Sequence, residues 1–301
     1  MKKILLTGGT GFIGRQLCMT LIKCGHQVTI LSRQPHSFVQ ASIDPSVSVI
    51  SSLEALNTNS DFDAIINLSG EPIMGQRWSP AYKEQLRQSR IALTELLVSK
   101  IALLQKKPEV LISGSAIGIY GDQGDLILDE TFNPSETIGF SQTLCLDWEN
   151  AARKAEALGV RVCIIRTGLV VGHAGGFLKR MLLPFRLGLG GPIASGRQWM
   201  SWIHLEDEVG MIKFLLDQQS LRGTFNGTAP HPVTNAELTE TLARSLKRPA
   251  FFRVPAFVVN AIFGEMGALL LESQRVTPKH AVDQGYIFKY TDLQAALKSV
   301  L

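Results

Sequence analysis

One stretch constrains the fold more than any other, the run from Lys3 to Arg33. An apolar segment, Ile4-Leu5-Leu6, leads into Thr7-Gly8-Gly9-Thr10-Gly11-Phe12-Ile13-Gly14. A helical pattern from Arg15 to Lys23 follows and closes at Gly25, and a second apolar segment, Gln27 to Leu31, ends at Ser32-Arg33. Strand, glycine turn, helix and strand make one βαβ unit. Gly8 permits the tight turn off the strand, Gly11 lets backbone approach a pyrophosphate, and Gly14 allows close helix–strand contact. Backbone N–H groups and the helix dipole then face the phosphates. A glycine motif by itself is weak; placed between a strand and a helix it points to a dinucleotide. Thr10, Phe12 and Ile13 belong to the same turn.

The end of the second strand selects the dinucleotide. An Asp or Glu about 20 residues beyond the glycines would hold a ribose 2′-hydroxyl. The chain offers Ser32 and Arg33 instead. A guanidinium beside a small hydroxyl suits a 2′-phosphate, so NADP(H) is expected over NAD(H). The competing reading of Arg33 is a solvated side chain at a strand end.

The 301 residues allow one large domain or two intimate ones, and 45% apolar content supports a substantial core. A net charge of +4, mixed along the chain, is too mild to argue for nucleic acid. Cys18, Cys24, Cys145 and Cys163 lack metal-ligand spacing, and the six histidines are scattered, so no metal site is expected. Three of the cysteines lie in apolar patterns and read as buried thiols of a reducing compartment. No apolar run approaches the roughly 18 residues of a membrane span. The best candidate, Ala256 to Leu271, contains Asn260 and Glu265. A cytoplasmic protein with no membrane partner is the expectation.

Further along, Val47 to Leu53 reads as a third strand and Ala64 to Leu68 as a fourth. Pro80 opens a helical pattern reaching about Lys100, and Val110 to Ile112 is the next strand. A helix from about Ser141 to Leu158 stops at Gly159, and Val160 to Arg166 is another strand. The connection after Arg33 reads as polar and irregular. This alternation argues for a Rossmann-type α/β fold with a doubly wound parallel sheet. Ligands bind such sheets at the carboxyl ends of strands. The cofactor candidates at those ends are Ser32 and Arg33, Asn67-Leu68-Ser69-Gly70, Ser113-Gly114, and Arg166-Thr167-Gly168.

From Gly168 the pattern changes. Gly172 to Gly191 is rich in glycine, with Lys179, Arg180 and Arg186 among apolar residues. A helix from Glu206 to Asp217 and a late strand at Gly223–Asn226 follow. Thr234 and Glu237 form a capping box for the helix carrying Leu238, Leu242 and Leu246. An apolar helix after Pro255 and an amphipathic one near 291–301 complete the chain. The expected division is an NADP-binding domain over 1–167, completed by about 201–228. A smaller C-terminal α/β substrate domain covers 168–200 and 229–301.

Thr7 to Gly14, Gly114-Ser115-Ala116 with Tyr120-Gly121, and Trp202-Ile203-His204-Leu205-Glu206-Asp207 together resemble the extended short-chain dehydrogenase/reductases. Four further stretches resemble one atypical branch, usually labelled epimerase family protein. They are Asn67 to Ile73 with Arg77-Trp78, Ser113 to Ala116, Pro184 to Pro192, and Ser195-Gly196-Arg197-Gln198. The resemblance runs nearly end to end and includes a C-terminal domain of unknown function. It implies a Rossmann fold and NADP(H), and it leaves open whether the chain is a monomer or a homodimer. It also exposes a departure. Ordinary members carry Tyr and Lys as Y-x-x-x-K at the start of a helix; here Phe140 and Leu144 stand at those positions. Phenylalanine has no proton to transfer and leucine carries no charge.

The resemblance assigns the family serine to Ser115, which would touch substrate beside the nicotinamide; the bland alternative is a hydroxyl satisfying loop backbone. Tyr120 could replace the lost tyrosine, against the plainer reading of a half-buried ring with its hydroxyl on water. Glu71 could act as a base at the substrate, or be a rim charge. Arg186, Arg197 and Trp199, with Lys179, Arg180 and Trp202, could form an anion- and ring-binding wall, or a solvated basic face. His204 reads as structural. Two functions remain in view: an NADP(H)-dependent oxidoreductase or epimerase-like enzyme acting on a small polar substrate, or a non-catalytic NADP(H)-binding sensor.

Overall fold

The computed structural model of the chain describes residues 1–134, 139–173 and 175–301. In the first half lie β1 (Lys3–Thr7), α1 (Phe12–Lys23), β2 (Gln27–Leu31), α2 (His36–Ser42), β3 (Ser48–Ile50) and β4 (Ala64–Asn67). Then come α3 (Pro80–Arg87), α4 (Leu93–Leu103), β5 (Val110–Ala116), β6 (Ile127–Leu128), α5 (Phe140–Arg153) and β7 (Arg161–Thr167). The second half holds β8 (Leu169–Val171), α6 (Gly176–Arg186), β9 (Trp199–Met200), β10 (Trp202–His204), α7 (Leu205–Asp217), β11 (Gly223–Gly227) and β12 (Val233–Thr234). It ends with α8 (Asn235–Leu246), α9 (Ala256–Phe263), α10 (Ala268–Leu271), β13 (Arg275–Val276), α11 (Lys279–Asp283) and α12 (Leu293–Lys298).

Seven strands form one sheet in the order β11-β7-β5-β4-β1-β2-β3, every pairing parallel. The fold is the Rossmann-like α/β type. Strand order reverses between β1 and β4, which opens a crevice at their carboxyl ends. Side chains of a strand alternate between faces. Ile4, Leu6, Ile66, Ile112 and Ile165 therefore pack with Leu17 and Leu21 of α1 and Ile212 and Leu215 of α7. Leu5, Ile65, Leu111, Val162 and Ile164 pack with Leu97 and Ile101 of α4 on the other face. Each such buried aliphatic contributes on the order of 1.5–3 kcal/mol, so both faces must be covered. A separate core joins Leu178 and Phe185 of α6, Trp202, Leu238 and Leu242 of α8, and Leu293 and Leu297 of α12.

Several boundaries differ from the sequence reading. The helix expected from Arg15 begins at Phe12, directly on Gly11. The connection after Arg33 contains α2, whose Val39 alone is buried, so a short polar helix left little periodicity to read. The third strand keeps only Ser48–Ile50, and Leu53 starts a short 3-10 turn capped by Ser52. The helix expected over 80–100 is broken by a π-helical turn, Gln88–Ala92. The stretch from Ala256 to Leu271 divides into α9, a 3-10 turn and α10. The capping box forms as expected: Thr234 Oγ1 accepts from the Glu237 backbone N–H at 3.2 Å, and Glu237 Oε2 accepts from the Thr234 N–H at 2.7 Å. No described helix is long and apolar enough to cross a membrane.

Asp207 and Arg77 tie the C-terminal elements to the sheet. The Asp207 carboxylate accepts the backbone N–H groups of Lys289 at 2.7 Å and Tyr290 at 2.9 Å. Arg77 donates from Nε to the Ile262 carbonyl at 2.7 Å and also bonds the Ala261 carbonyl, covering the carboxyl end of α9.

Candidate functional site

The glycine turn has the shape its sequence implies. Gly8 sits at φ +70°, and a Cβ there would lie 2.5 Å from the Leu68 carbonyl oxygen. A Cβ on Gly14 would lie 2.2 Å from the Gly8 carbonyl oxygen, so the helix can approach the turn only without one. A Cβ on Gly11 would meet only the Gly8 carbonyl oxygen, at 3.2 Å. Gly11 is the N-cap of α1; it supplies no side-chain cap, and the first turn holds no acidic residue. The leading N–H groups are thus left for an anion.

Phe12 gives Gly172, Gly175 and Gly176 their reason. Its ring lies where Cβ atoms on Gly172 and Gly175 would fall, at 2.7 and 2.1 Å, and Gly176 at φ +65° passes alongside. The second half of the chain thus closes on the first residue of α1. Ala174, in the same stretch, lies outside the described residues.

At the end of β2 the Ser32 side chain is buried, accepting from the Gln34 backbone N–H at 3.0 Å. Arg33 projects into solvent, its side chain 89% exposed, and its Nη2 meets Glu71 Oε1 at 2.8 Å. Glu71 was expected at the substrate; the structure sets its carboxylate against Arg33 instead. The turn after β4 runs over Asn67, whose side chain is fully buried. Asn67 Oδ1 accepts from Thr7 Oγ1 at 2.7 Å, and its Nδ2 donates to Thr94 Oγ1 at 2.8 Å and Ser113 Oγ at 3.4 Å. Register explains this row, since Thr7 pairs with Asn67 and Asn67 with Ser113. Asn67 and Ser113 therefore support the crevice floor from beneath, while Ser69 and Gly70 reach the surface.

The expected catalytic pair lies deeper than the sequence suggested. Ser115 Oγ donates to Glu149 Oε1 at 2.8 Å, and Glu149 is almost completely buried. Arg166 grips the same carboxylate from Nε at 2.8 Å and Nη2 at 3.0 Å. It also donates from Nη1 to the Tyr120 hydroxyl at 3.0 Å. Tyr120 has no exposed surface; its hydroxyl donates to Asn226 Oδ1 at 2.8 Å, and burial pushes its pKa up to about 12. Burial alone would lower the Arg166 pKa, but the bonds to Glu149 and Tyr120 reverse this and leave it raised. Register again sets the row, Ser115 beside Arg166 and Arg166 beside Asn226. Tyr120, weighed as a replacement proton donor or as a half-buried ring, is a buried ring whose hydroxyl is bonded to protein groups. Arg166, expected at the cofactor, is likewise spent on Glu149.

Thr167 donates to Glu208 Oε1 at 2.6 Å. Glu208 is fully buried, its Oε2 has no hydrogen-bond partner among the described residues, and burial raises its pKa to about 8. A Cβ on Gly168 would lie 2.5 Å from the Ser201 carbonyl oxygen. Phe140, at the position of the family tyrosine, packs edge-on against Trp78 with ring centroids 5.0 Å apart, and Leu144 is buried beside Tyr82 and Leu86.

The basic wall is not one surface. Trp202 is core, its Nε1 donating to the His231 carbonyl at 3.0 Å. Trp199 gives its Nε1–H to Asp125 Oδ1 at 2.8 Å, and the Arg275 guanidinium covers its ring at 4.2 Å. Lys179, Arg180, Arg186 and Arg197 are exposed. His204 caps α7, its Nδ1 accepting from the Glu206 N–H at 3.1 Å, and burial lowers its pKa. Cys18, Cys145 and Cys163 are buried thiols and Cys24 is exposed. No cluster among the described residues could hold a metal ion. Sequence reasoning missed Glu149 and Glu208; a charged residue at a core-facing helical position was the available signal.

Comparison with known proteins agrees with this fold. The profile of the NAD dependent epimerase/dehydratase family matches residues 4–226, and a domain of unknown function, DUF1731, matches residues 254–300. Epimerase family protein SDR39U1 of Mus musculus is 38% identical over 302 residues, covering 99% of both chains. The crystal structure of human epimerase family protein SDR39U1 (isoform 2) with NADPH superposes at a TM-score of 0.89. It is 35% identical and covers 99% of this chain and 98% of that one. A nucleoside-diphosphate sugar epimerase from Corynebacterium glutamicum superposes at 0.77 with 30% identity, covering 98% of this chain and 57% of the other.

Proposed function

The chain belongs to the NAD dependent epimerase/dehydratase family, and from that premise we propose an NADP(H)-dependent oxidoreductase or epimerase-like enzyme whose substrate is a small polar molecule of the nucleotide-sugar class. One observation carries the cofactor: an uncapped helix start on a glycine turn, with an exposed Arg33 paired to Glu71 at the end of β2. The residues fit the group. Gly11 leaves room for phosphate oxygens, and the N–H groups of Phe12, Ile13 and Gly14 face them. Thr10, Ser69 and Gly70 line its middle, and Arg33 exchanges Glu71 for the 2′-phosphate. When bound, the nicotinamide supplies or accepts hydride. The NADPH of the human relative supports the same cofactor, and the Corynebacterium relative's name supports the substrate class.

On the substrate side, Gly114, Ser115, Thr167 and Gly168 end the two strands next to the nicotinamide's expected place, and Arg186 and Arg197 remain available for an anionic substrate. The expected partition, 1–167 with about 201–228 for cofactor and the remainder for substrate, follows from this assignment.

A second reading has its own observation. Ser115 is spent on Glu149, Tyr120 is buried, and Phe140 and Leu144 carry no proton or charge. A non-catalytic NADP(H)-binding sensor would need none of them. Calorimetry with NADPH and NADH, followed by a turnover screen against nucleotide sugars and small carbonyls, tests both. Arg33→Ala should weaken NADPH at least about tenfold and leave NADH nearly unchanged. Equal loss of both removes the 2′-phosphate assignment. Turnover that disappears in Ser115→Ala supports the enzyme; tight NADPH binding without turnover supports the sensor.

A further inference from the structure

The small C-terminal core leaves large apolar side chains outside it. Leu178 and Phe185 fasten α6 to that core. Leu183 and Leu187, one turn apart, leave the opposite face of the same helix and are exposed. A surface helix ordinarily carries polar residues on that face. Leu189, Phe251, Phe252 and Phe257 are exposed as well, Phe251 by 84% and Phe257 by 73%. Backbone contacts bring the two segments together. The Val254 N–H donates to the Pro192 carbonyl at 2.9 Å, and the Ala194 N–H to the Val254 carbonyl at 2.8 Å. A Cβ on Gly191 would lie 1.9 Å from the Phe252 carbonyl oxygen, and one on Gly188 would lie 3.6 Å from Pro249 Cγ. The chain from 249 to 254 therefore runs beside 187–194, and Phe257 follows at the start of α9. Single exposed apolar residues are ordinary on a surface; a contiguous group of them marks a contact.

The same two segments are one-sided in charge. Residues 175–192 carry Lys179, Arg180 and Arg186, residues 241–264 carry Arg244, Lys247, Arg248 and Arg253, and neither stretch holds an acidic residue. Among the described residues only Arg244 of these seven is in an ion pair, with Glu240 at 2.6 Å. An open cavity of about 420 Å³ is lined by Arg248, Pro249 and Phe251, with the paired Glu240 at its edge. Apolar side chains flanked by unpaired cations match an anionic bilayer. Leucine and phenylalanine enter the acyl boundary, while lysine and arginine stems lie along it with their charges on the headgroups. A second copy docked symmetrically on this face would set the cations of each protomer against their own counterparts. A nucleic acid would answer the charge, but bases stack on rings and have no use for three exposed leucines.

We propose that this face docks on the surface of anionic lipid bilayers. Leu183, Leu187, Phe251 and Phe252 sit at the acyl boundary, and Lys179, Arg180, Lys247, Arg248 and Arg253 meet lipid phosphates. The expectation of no membrane partner came from the lack of a spanning run, and a contact in the plane of the interface needs none.

Flotation of the full chain with vesicles of phosphatidylcholine, and with vesicles of equal parts phosphatidylcholine and phosphatidylglycerol, tests it. Wild type should bind the anionic vesicles at least about tenfold more tightly than the neutral ones. Phe251→Ser/Phe252→Ser should lose at least about tenfold on the anionic vesicles. Lys247→Gln/Arg248→Gln should lose about tenfold there and become less sensitive to salt. These side chains are exposed, so the urea midpoint of each variant should stay near that of wild type. Wild type that stays off both vesicles, or binds both equally, overturns the proposal, as does a Phe251→Ser/Phe252→Ser chain that binds like wild type. If that chain does not fold, Lys247→Gln/Arg248→Gln decides, and undiminished binding to anionic vesicles there overturns it as well. Retention on a single-stranded oligonucleotide that the vesicles cannot displace would give the face to nucleic acid. A concentration-dependent dimer that is lost in Phe251→Ser/Phe252→Ser would give it to a second copy, and either result overturns the lipid assignment.

Discussion

Replacing Glu208 by Gln should change how stability depends on pH. Glu208 stands on α7 with its carboxyl buried under the carboxyl ends of β7 and β11, holding Thr167 through Oε1 and pressing Oε2 toward Gly227. Burial raises its pKa from 4.5 to about 8. A raised carboxyl pKa means the folded chain keeps a proton that the unfolded chain releases. Its contribution is therefore complete below the unfolded pKa and is lost as pH rises through the folded one. Moving this carboxyl from 4.5 to about 8 corresponds to about 5 kcal/mol over the whole window. Between about pH 5.5 and pH 8.5 the expected loss from this group is about 3 kcal/mol. Gln mimics the neutral acid and does not titrate. Urea unfolding of both proteins at those two pH values measures the effect: wild type and Glu208→Gln should be similar in acid, and the variant should be more stable in base by about 3 kcal/mol. A stability difference that is the same at both pH values would refute the assignment of a protonated carboxyl at this position.

Other perturbations test the network around it. Glu149→Gln removes the charge that balances Arg166 inside the fold, and should cost about 3–5 kcal/mol in denaturant unfolding. A cost below about 1 kcal/mol would mean that water reaches the pair. Gly8→Ala places a Cβ 2.5 Å from the Leu68 carbonyl oxygen at φ +70°. It should destabilise the chain by more than about 1 kcal/mol and weaken NADPH in calorimetry, and unaltered binding would contradict the tight turn.

The amino-acid sequence by itself determined the glycine turn and the strands and helix that flank it. Its signals are local: a glycine turn between an apolar strand and an amphipathic helix, and a guanidinium at the next strand end; the capping box at Thr234 in the other half is local in the same way. Each depends on residues a few positions apart, and so each is legible in order. Tertiary structure decided what local pattern could not reach. Ser115 and Glu149 are 34 positions apart, and Tyr120 and Asn226 are 106 apart, yet strand register and helix packing join them in one buried network. That network withdraws from the surface the side chains that looked most chemical. Gly172, Gly175 and Gly176 read as irregular until Phe12 is seen to lie where their side chains would be. Arg90 shows the same limit: its sequence neighbours mark an ordinary helix, and only the packed loop sets its guanidinium between Gly70 and the Trp148 ring.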